Sequence, residues 1–155
     1  MPLVSRTIFA IVRFAARHGL SESRGGETAK EKARRTGIRG ETYAYWYLRR
    51  HGYVFVARNY RTPETKGEID MIGYDGPMLA FVEVKTRRGT EQNPGRPEEA
   101  VTAEKQKHVA RMARRFITER RAEGSSWRFD VVAIETRPGQ VPLVRLHKGA
   151  FASSR

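Results

Sequence analysis

Residues 68–86 read EIDMIGYDGPMLAFVEVKT, two alternating apolar runs on either side of Asp75-Gly76-Pro77. Asp-Gly-Pro is a tight-turn signal, and the flanking Ile, Tyr, Phe and Val suit a pleated surface, so the stretch predicts two antiparallel strands at 68–74 and 78–86. Side chains alternate faces along a strand. Phe81, Glu83 and Lys85 therefore share one face, Val82, Val84 and Thr86 the other, and Glu68 and Asp70 are cofacial on the partner strand. The short connection lets Asp70 and Glu83 meet across the pair. A buried carboxylate must be paired, hydrated or met by a cation. Two readings fit this spacing: a divalent-ion site made by two carboxylates and a lysine, or an exposed Glu–Lys pair of the kind antiparallel sheets carry on their solvent face.

Working outward, 53–59 (YVFVARN) predicts a strand before this pair, and 129–135 (FDVVAIE) one after it, with 141–146 a candidate fifth. Upstream, Ile38, Glu41, Ala44, Tyr45 and Leu48 recur at helical spacing from Gly37 to the stop at His51-Gly52. Downstream, Val101, Val109, Met112, Phe116 and Ile117 mark a long basic helix over 98–123, preceded by a polar loop at 89–97. The order is helix, three strands, helix, strand. It predicts an α/β fold whose central mixed sheet is flanked by helices, with parallel pairing across the helical crossover.

Residues 1 to about 18 set Leu3, Ile8, Ile11, Val12 and Ala15 on one helical side and Arg6, Arg13 and Arg17 off it, a short basic amphipathic helix. Residues 19–36 hold Gly, Ser and alternating charge with little to bury, which predicts a linker. The expected division is an N-terminal extension and linker at 1–36, one domain at 37–151 and a tail at 152–155.

The 155 residues carry 30 Lys+Arg against 17 Asp+Glu, a net charge of +13. That is the footprint of a protein meeting phosphate backbones or anionic membranes. There is no cysteine, so any metal is held by oxygen or imidazole, and Mg2+ or Mn2+ is the natural candidate. No run of 18 apolar residues occurs, and the expected location is cytoplasmic. The four histidines lack metal-ligand spacing, and neither a nucleophile elbow nor a P-loop is present.

Two more charges sit on apolar stripes: Glu41 between Ile38 and Leu48, and Lys105 midway between Val101 and Val109. Charges aimed inward from four segments favour the divalent-ion reading. Its chemistry would be phosphodiester hydrolysis, with the ion on Asp70 and Glu83 acidifying a water and Lys85 orienting that water or neutralising charge on phosphorus.

The blocks GETYAYWYLRRHGYVFVARNYR, KGEIDMIGYDGPMLAFVEVKTRR, AVTAEKQKHV, RFDVVAIE and HKGAF resemble, in order, the motifs of the YraN family of bacterial endonuclease-like proteins. The resemblance covers about Gly37 to Phe151. Through that family the chain is similar to the restriction-endonuclease-like, PD-(D/E)xK superfamily, which includes archaeal Holliday junction resolvases. The resemblance implies a restriction-endonuclease-like core and a catalytic set of Glu41, Asp70, Glu83 and Lys85, with Asp70, Glu83 and Glu41 as metal ligands. Lys105 matches a lysine of the family's second helix and joins the set without an assigned role. Ile69 stands where the superfamily pattern has proline.

For nucleic acid, most naturally DNA, the candidate contacts are Arg87 and Arg88 beside the site and Arg111, Arg114 and Arg115 off the apolar stripe of the basic helix. The aromatic group Tyr43, Tyr45, Trp46 and Tyr47 reads as packing rather than a base-stacking platform. Two functions follow: a metal-dependent DNA endonuclease acting in repair or recombination, and a non-catalytic nucleic-acid-binding accessory protein on the same fold. A homodimer is expected if the substrate is duplex or branched. The N-terminal helix offers a weak contact to a membrane or a partner.

Overall fold

The computed structural model describes residues 2–17, 25–89 and 101–151. Along the chain lie α1 (Pro2–Arg17), α2 (Ala29–Arg50), β1 (Val54–Thr62), β2 (Thr65–Asp75), β3 (Met78–Arg88), α3 (Ala103–Glu119), β4 (Trp127–Thr136) and β5 (Leu143–Lys148). The strands form one sheet in the order β1-β2-β3-β4-β5. Every pairing is antiparallel except that of β3 with β4, which run parallel across the α3 crossover. This is the mixed α/β sheet flanked by helices that the sequence predicts, and it is consistent with a restriction-endonuclease-like core.

The centre of the sheet is buried on both faces, which is why residues 131–134 of β4 are consecutive apolar residues rather than alternating ones. On one face Ile69, Ile72, Leu79, Phe81 and Phe129 pack against Val109, Met112, Ala113 and Phe116 of α3. On the other, Met71, Ala80, Val82, Val132 and Ile134 pack against Tyr43, Ala44 and Leu48 of α2. Phe81 and Val82 are adjacent in sequence and belong to opposite cores, as strand alternation requires.

Several boundaries move. Helix α2 begins at Ala29, so 29–36 is helical rather than linker: Thr28 and Glu31 form a capping box, with Glu31 N donating to Thr28 Oγ1 at 3.2 Å and Thr28 N to Glu31 Oε2 at 2.8 Å. Residues 19–24 of the expected linker lie outside the described residues, as do residue 18 of the expected first helix, residues 90–100 of the expected loop and helix start and the tail at 152–155. Helix α3 is shorter than the predicted 98–123, opening at the N-cap Thr102 and closing at Arg120. The fifth strand falls at 143–148, not 141–146.

Two apolar stripes are rotated from expectation. In α2 the buried residues are Gly40, Tyr43, Ala44 and Leu48, while Ile38 is exposed and Tyr45 half-buried. In α1 the anchor is Phe9, whose ring meets Tyr43 and Tyr47 at 5.4 and 6.0 Å, while Leu3 and Ile11 face outward. Both shifts have one cause: α2 is covered by α1 as well as by the sheet, so the residues between these two layers are the ones buried. The Tyr43, Tyr45, Trp46 and Tyr47 group is packing, all four belonging to the core or its margin.

At Gly40, α2 passes close against β3. A Cβ there would stand 1.7 Å from Thr86 Oγ1. Alanine normally stabilises a helix interior by about 1 kcal/mol over glycine. Gly40→Ala is nevertheless expected to cost roughly 1–3 kcal/mol, because helix and strand must separate. Chemical denaturation measures this, and a stabilised variant would refute the close packing.

Candidate active site

Strands β2 and β3 pair from Asp75↔Met78 to Met71↔Val82. Beyond that point β2 stays with β1, as far as Thr62↔Thr65, and β3 stays with β4, as far as Arg88↔Thr136. The sheet forks at Asp70 and Glu83. At the fork the Val84 N–H is met by a side chain in place of a β2 carbonyl, donating to Asp70 Oδ2 at 2.7 Å.

Asp70 and Glu83 are only 8% and 5% exposed. Glu83 Oε1 accepts from Lys85 Nζ at 2.9 Å, two residues along the same strand face, and also from Lys105 Nζ, which arrives from the first turn of α3. Thr102 fixes that turn by accepting from Lys105 N at 3.2 Å. Glu41 comes from α2, half-buried, one residue after the close contact of Gly40 with β3. The predicted set of Glu41, Asp70, Glu83, Lys85 and Lys105 thus converges from two helices and two strands.

The electrostatics are those of crowded acids. Burial, then the Glu83 charge, push the Asp70 carboxyl up to about 7, against the opposing Val84 N–H bond and the Lys105 charge. Glu41 is also raised, by burial first and then by Glu68 and Glu83 against the opposing Arg58. Burial draws the Lys105 ammonium down, but its contact with Glu83 and the Asp70 charge more than offset this and leave it raised.

Among the described residues no group of three or more His, Cys, Asp or Glu is placed to hold a metal. The donor set is therefore a pair, Asp70 and Glu83, with Glu41 felt through its charge. Such a pair fits Mg2+, which keeps several waters and binds through one or two carboxylates plus substrate phosphates. Two adjacent buried anions are also relieved by a cation between them.

Of the predicted nucleic-acid contacts, Arg87 is half-buried and Arg88 exposed at the end of β3, two and three residues past Lys85. Arg111 and Arg114 are exposed on α3. Arg115 is held elsewhere: its Nε donates to Glu119 Oε1 at 2.6 Å and its Nη1 pairs with Glu64, which ties the β1–β2 turn to α3. It lies ten residues from Lys105, about 15 Å along the helix axis.

Lys66 and Thr102, which sequence reading passed over, and His108, to which it gave no chemistry, join Glu68 and Lys105 beside the site. Lys66, Glu68, Thr102, Lys105 and His108 line a groove of about 280 Å³ beside the fork. His108 was detectable, since it follows Lys105 by three residues on one helix face. At the far end of the β2–β3 hairpin, the fully buried Asp130 accepts from Tyr53 Oη at 3.0 Å, Arg128 Nε at 2.8 Å and Gly149 N at 3.0 Å. Arg128 Nη2 and Lys148 Nζ each reach Asp75 Oδ2 at 2.6 Å. Alternation on β4 puts Arg128 beside Asp130, but nothing local in the sequence links them to Tyr53, Asp75 or Lys148.

Among the described residues no helix is long and apolar enough to cross a membrane. The model of Uncharacterised protein family UPF0102 matches residues 40–134, a span that contains all five converging residues. A UPF0102 protein of Koribacter versatilis is 44% identical over 121 residues, covering 77% of this chain and 81% of its own. One of Symbiobacterium thermophilum is 45% identical over 119 residues, covering 77% and 98%, and one of Syntrophotalea carbinolica 46% over 112, covering 72% and 87%.

Proposed function

The chain belongs to the UPF0102 (YraN) family, and on that premise we propose that it is a divalent-metal-dependent endonuclease hydrolysing phosphodiester bonds of DNA, structure-specific and acting in repair or recombination. One observation carries this reading: the sheet parts where two buried carboxylates from neighbouring strands, Asp70 and Glu83, stand together with two lysines on Glu83. The order of these groups, acid on a helix, Asp on one strand and Glu-x-Lys on the next, is the PD-(D/E)xK pattern. That likeness supports the reading by analogy of fold and motif.

Asp70 and Glu83 would hold Mg2+ or Mn2+, with Glu41 at the margin. Such an ion supplies charge to offset the phosphate oxygens and lowers the pKa of a water. Asp70 Oδ2 is anchored by Val84 N–H, so Oδ1 is the oxygen it offers. Lys105 fixes the Glu83 carboxylate from α3. Lys85, about one-third exposed on that same carboxylate, is placed to donate to the attacking water or to a phosphate oxygen. Lys66 and Arg88 flank the fork and would give the DNA backbone cationic contacts, with the His108 ring beside Lys66 in the groove. One site per chain cuts one strand, so a homodimer follows for duplex or branched substrates.

The test is cleavage of labelled linear, single-stranded and four-way-junction DNA with Mg2+ or Mn2+. Wild type is expected to cut at least one of these, and Glu83→Ala and Lys85→Ala to cut it about 100-fold or more slowly. Salt-sensitive binding, equal in all three proteins and without cleavage, would instead establish the non-catalytic accessory role.

A further inference from the structure

Helix α1 carries two apolar faces, one packed on the body of the protein and one largely exposed. Phe9 and Ser5 are buried against the body of the protein, with Val12 and Ala16 packed at the margin of that core. Turned away are Leu3, Val4, Ile11 and Phe14, which are 76%, 60%, 63% and 65% exposed. At 3.6 residues per turn these four fall within an arc of about 100°. Scattered exposed apolar residues are ordinary, whereas a contiguous row of large ones marks a binding surface.

A row of guanidinium groups borders that arc. Arg6, Arg13 and Arg17 fall within about 40° of one another on the helix projection, between the exposed row and the buried one. Together with Phe14 and Arg50 they line a groove of about 720 Å³. The helix PLVSRTIFAIVRFAAR has no Asp or Glu. Its charge is of one sign, in a chain of net charge +13.

We infer that this outer face of α1 lies on the surface of an anionic lipid bilayer, with Leu3, Val4, Ile11 and Phe14 at the acyl boundary and Arg6, Arg13 and Arg17 at the headgroup phosphates. An apolar row beside a basic one on a helix of this length is the pattern of an interfacial helix, and each basic residue near an anionic leaflet adds to the attraction. A second copy of the chain is the poorer occupant, because face-to-face packing would set arginine rows near one another with no carboxylate on the helix to meet them. Nucleic acid would satisfy the arginines and leave the apolar row against water. The inference stands apart from the proposed nuclease chemistry, since it uses none of the residues at the fork.

The test is co-sedimentation of the full chain with phosphatidylcholine vesicles, with and without phosphatidylglycerol. Two variants accompany it, Ile11→Asp/Phe14→Asp and Arg6→Gln/Arg13→Gln/Arg17→Gln, whose changed side chains are exposed, and circular dichroism checks that both keep the fold. Wild type is expected to bind the anionic vesicles and not the neutral ones, and each variant to lose about ten-fold or more of that binding. No binding by wild type overturns the inference. So does equal binding by the Ile11→Asp/Phe14→Asp variant, which would leave only general attraction to a basic protein. Self-association or DNA binding lost in the variants, without vesicle binding by wild type, would assign the face to a second copy or to nucleic acid instead.

Discussion

Asp70→Asn is expected to be more stable than wild type at pH 8 and to cut DNA about 100-fold or more slowly. The carboxyl is pushed from 3.8 up to about 7 by burial first and by Glu83 second. Between these values the folded chain keeps a proton that the unfolded chain has released. Stability therefore falls as pH rises through that window, and the whole cost stands above about pH 7. A difference of about three pH units corresponds to something on the order of 4 kcal/mol. Asparagine has the same shape, can still accept the Val84 N–H, and brings no charge. The gain should be largest at pH 8, shrink as pH falls through 7, and vanish below about 4. Thermal unfolding across that range measures it. The same substitution removes one of two proposed cation ligands, so metal-dependent cleavage should drop by about 100-fold or more. A variant less stable than wild type at pH 8 would show that Asp70 serves packing, because a purely structural carboxylate should not gain from losing its charge.

The second large effect lies at the opposite end of the hairpin. Asp130→Ala is expected to destabilise the fold by about 3–5 kcal/mol, as loss of one partner from a buried ion pair does. The alanine would leave Tyr53 Oη, the Gly149 N–H and one arm of Arg128 without their acceptor, at a site with no solvent exposure. Asp75 and Lys148 belong to the same cluster, so the turn between β2 and β3 is fastened to β4, to the end of β5 and to Tyr53. Clamping the hairpin at its turn allows the strands to part at their other end without unzipping. Chemical denaturation reads the cost, and a loss below about 1 kcal/mol would mean that the network is incidental. Cation binding by the folded fraction should be unchanged.

The meeting of Asp70 with Glu83 was legible in sequence because a period of two is strict. Once Asp75-Gly76-Pro77 sets the turn, alternation alone brings Asp70 opposite Glu83 and places Lys85 beside it. Lys105 was legible for a similar reason, standing four residues from Val101 and from Val109. Periodicity could not say that the strands separate beyond Met71 and Val82, because the hydrogen-bond ladder is a property of two strands and the pattern belongs to one. Nor could it choose a face for α1, where both faces are apolar, or decide between Tyr43 and Tyr45 on α2, where a second helix covers what would otherwise be surface. The start of α2 was written plainly as Thr28-x-x-Glu31 and masked by the polar residues around it. The Asp130 cluster joins Arg128 and Asp130 of one strand to residues 53, 75 and 148, which only the folded sheet brings to them.

A divalent cation at Asp70 and Glu83 is what the proposed activity requires. Its most direct measurement is the proton released when Mn2+ binds, read by titration calorimetry in buffers of different ionisation enthalpy. With the Asp70 carboxyl at about 7, binding should expel close to one proton at pH 6 and few at pH 8. In Asp70→Asn both the binding and the proton should be lost. Mn2+ binding that releases no proton at pH 6, or that persists unchanged in Asp70→Asn, would contradict the assignment of the fork as the metal site.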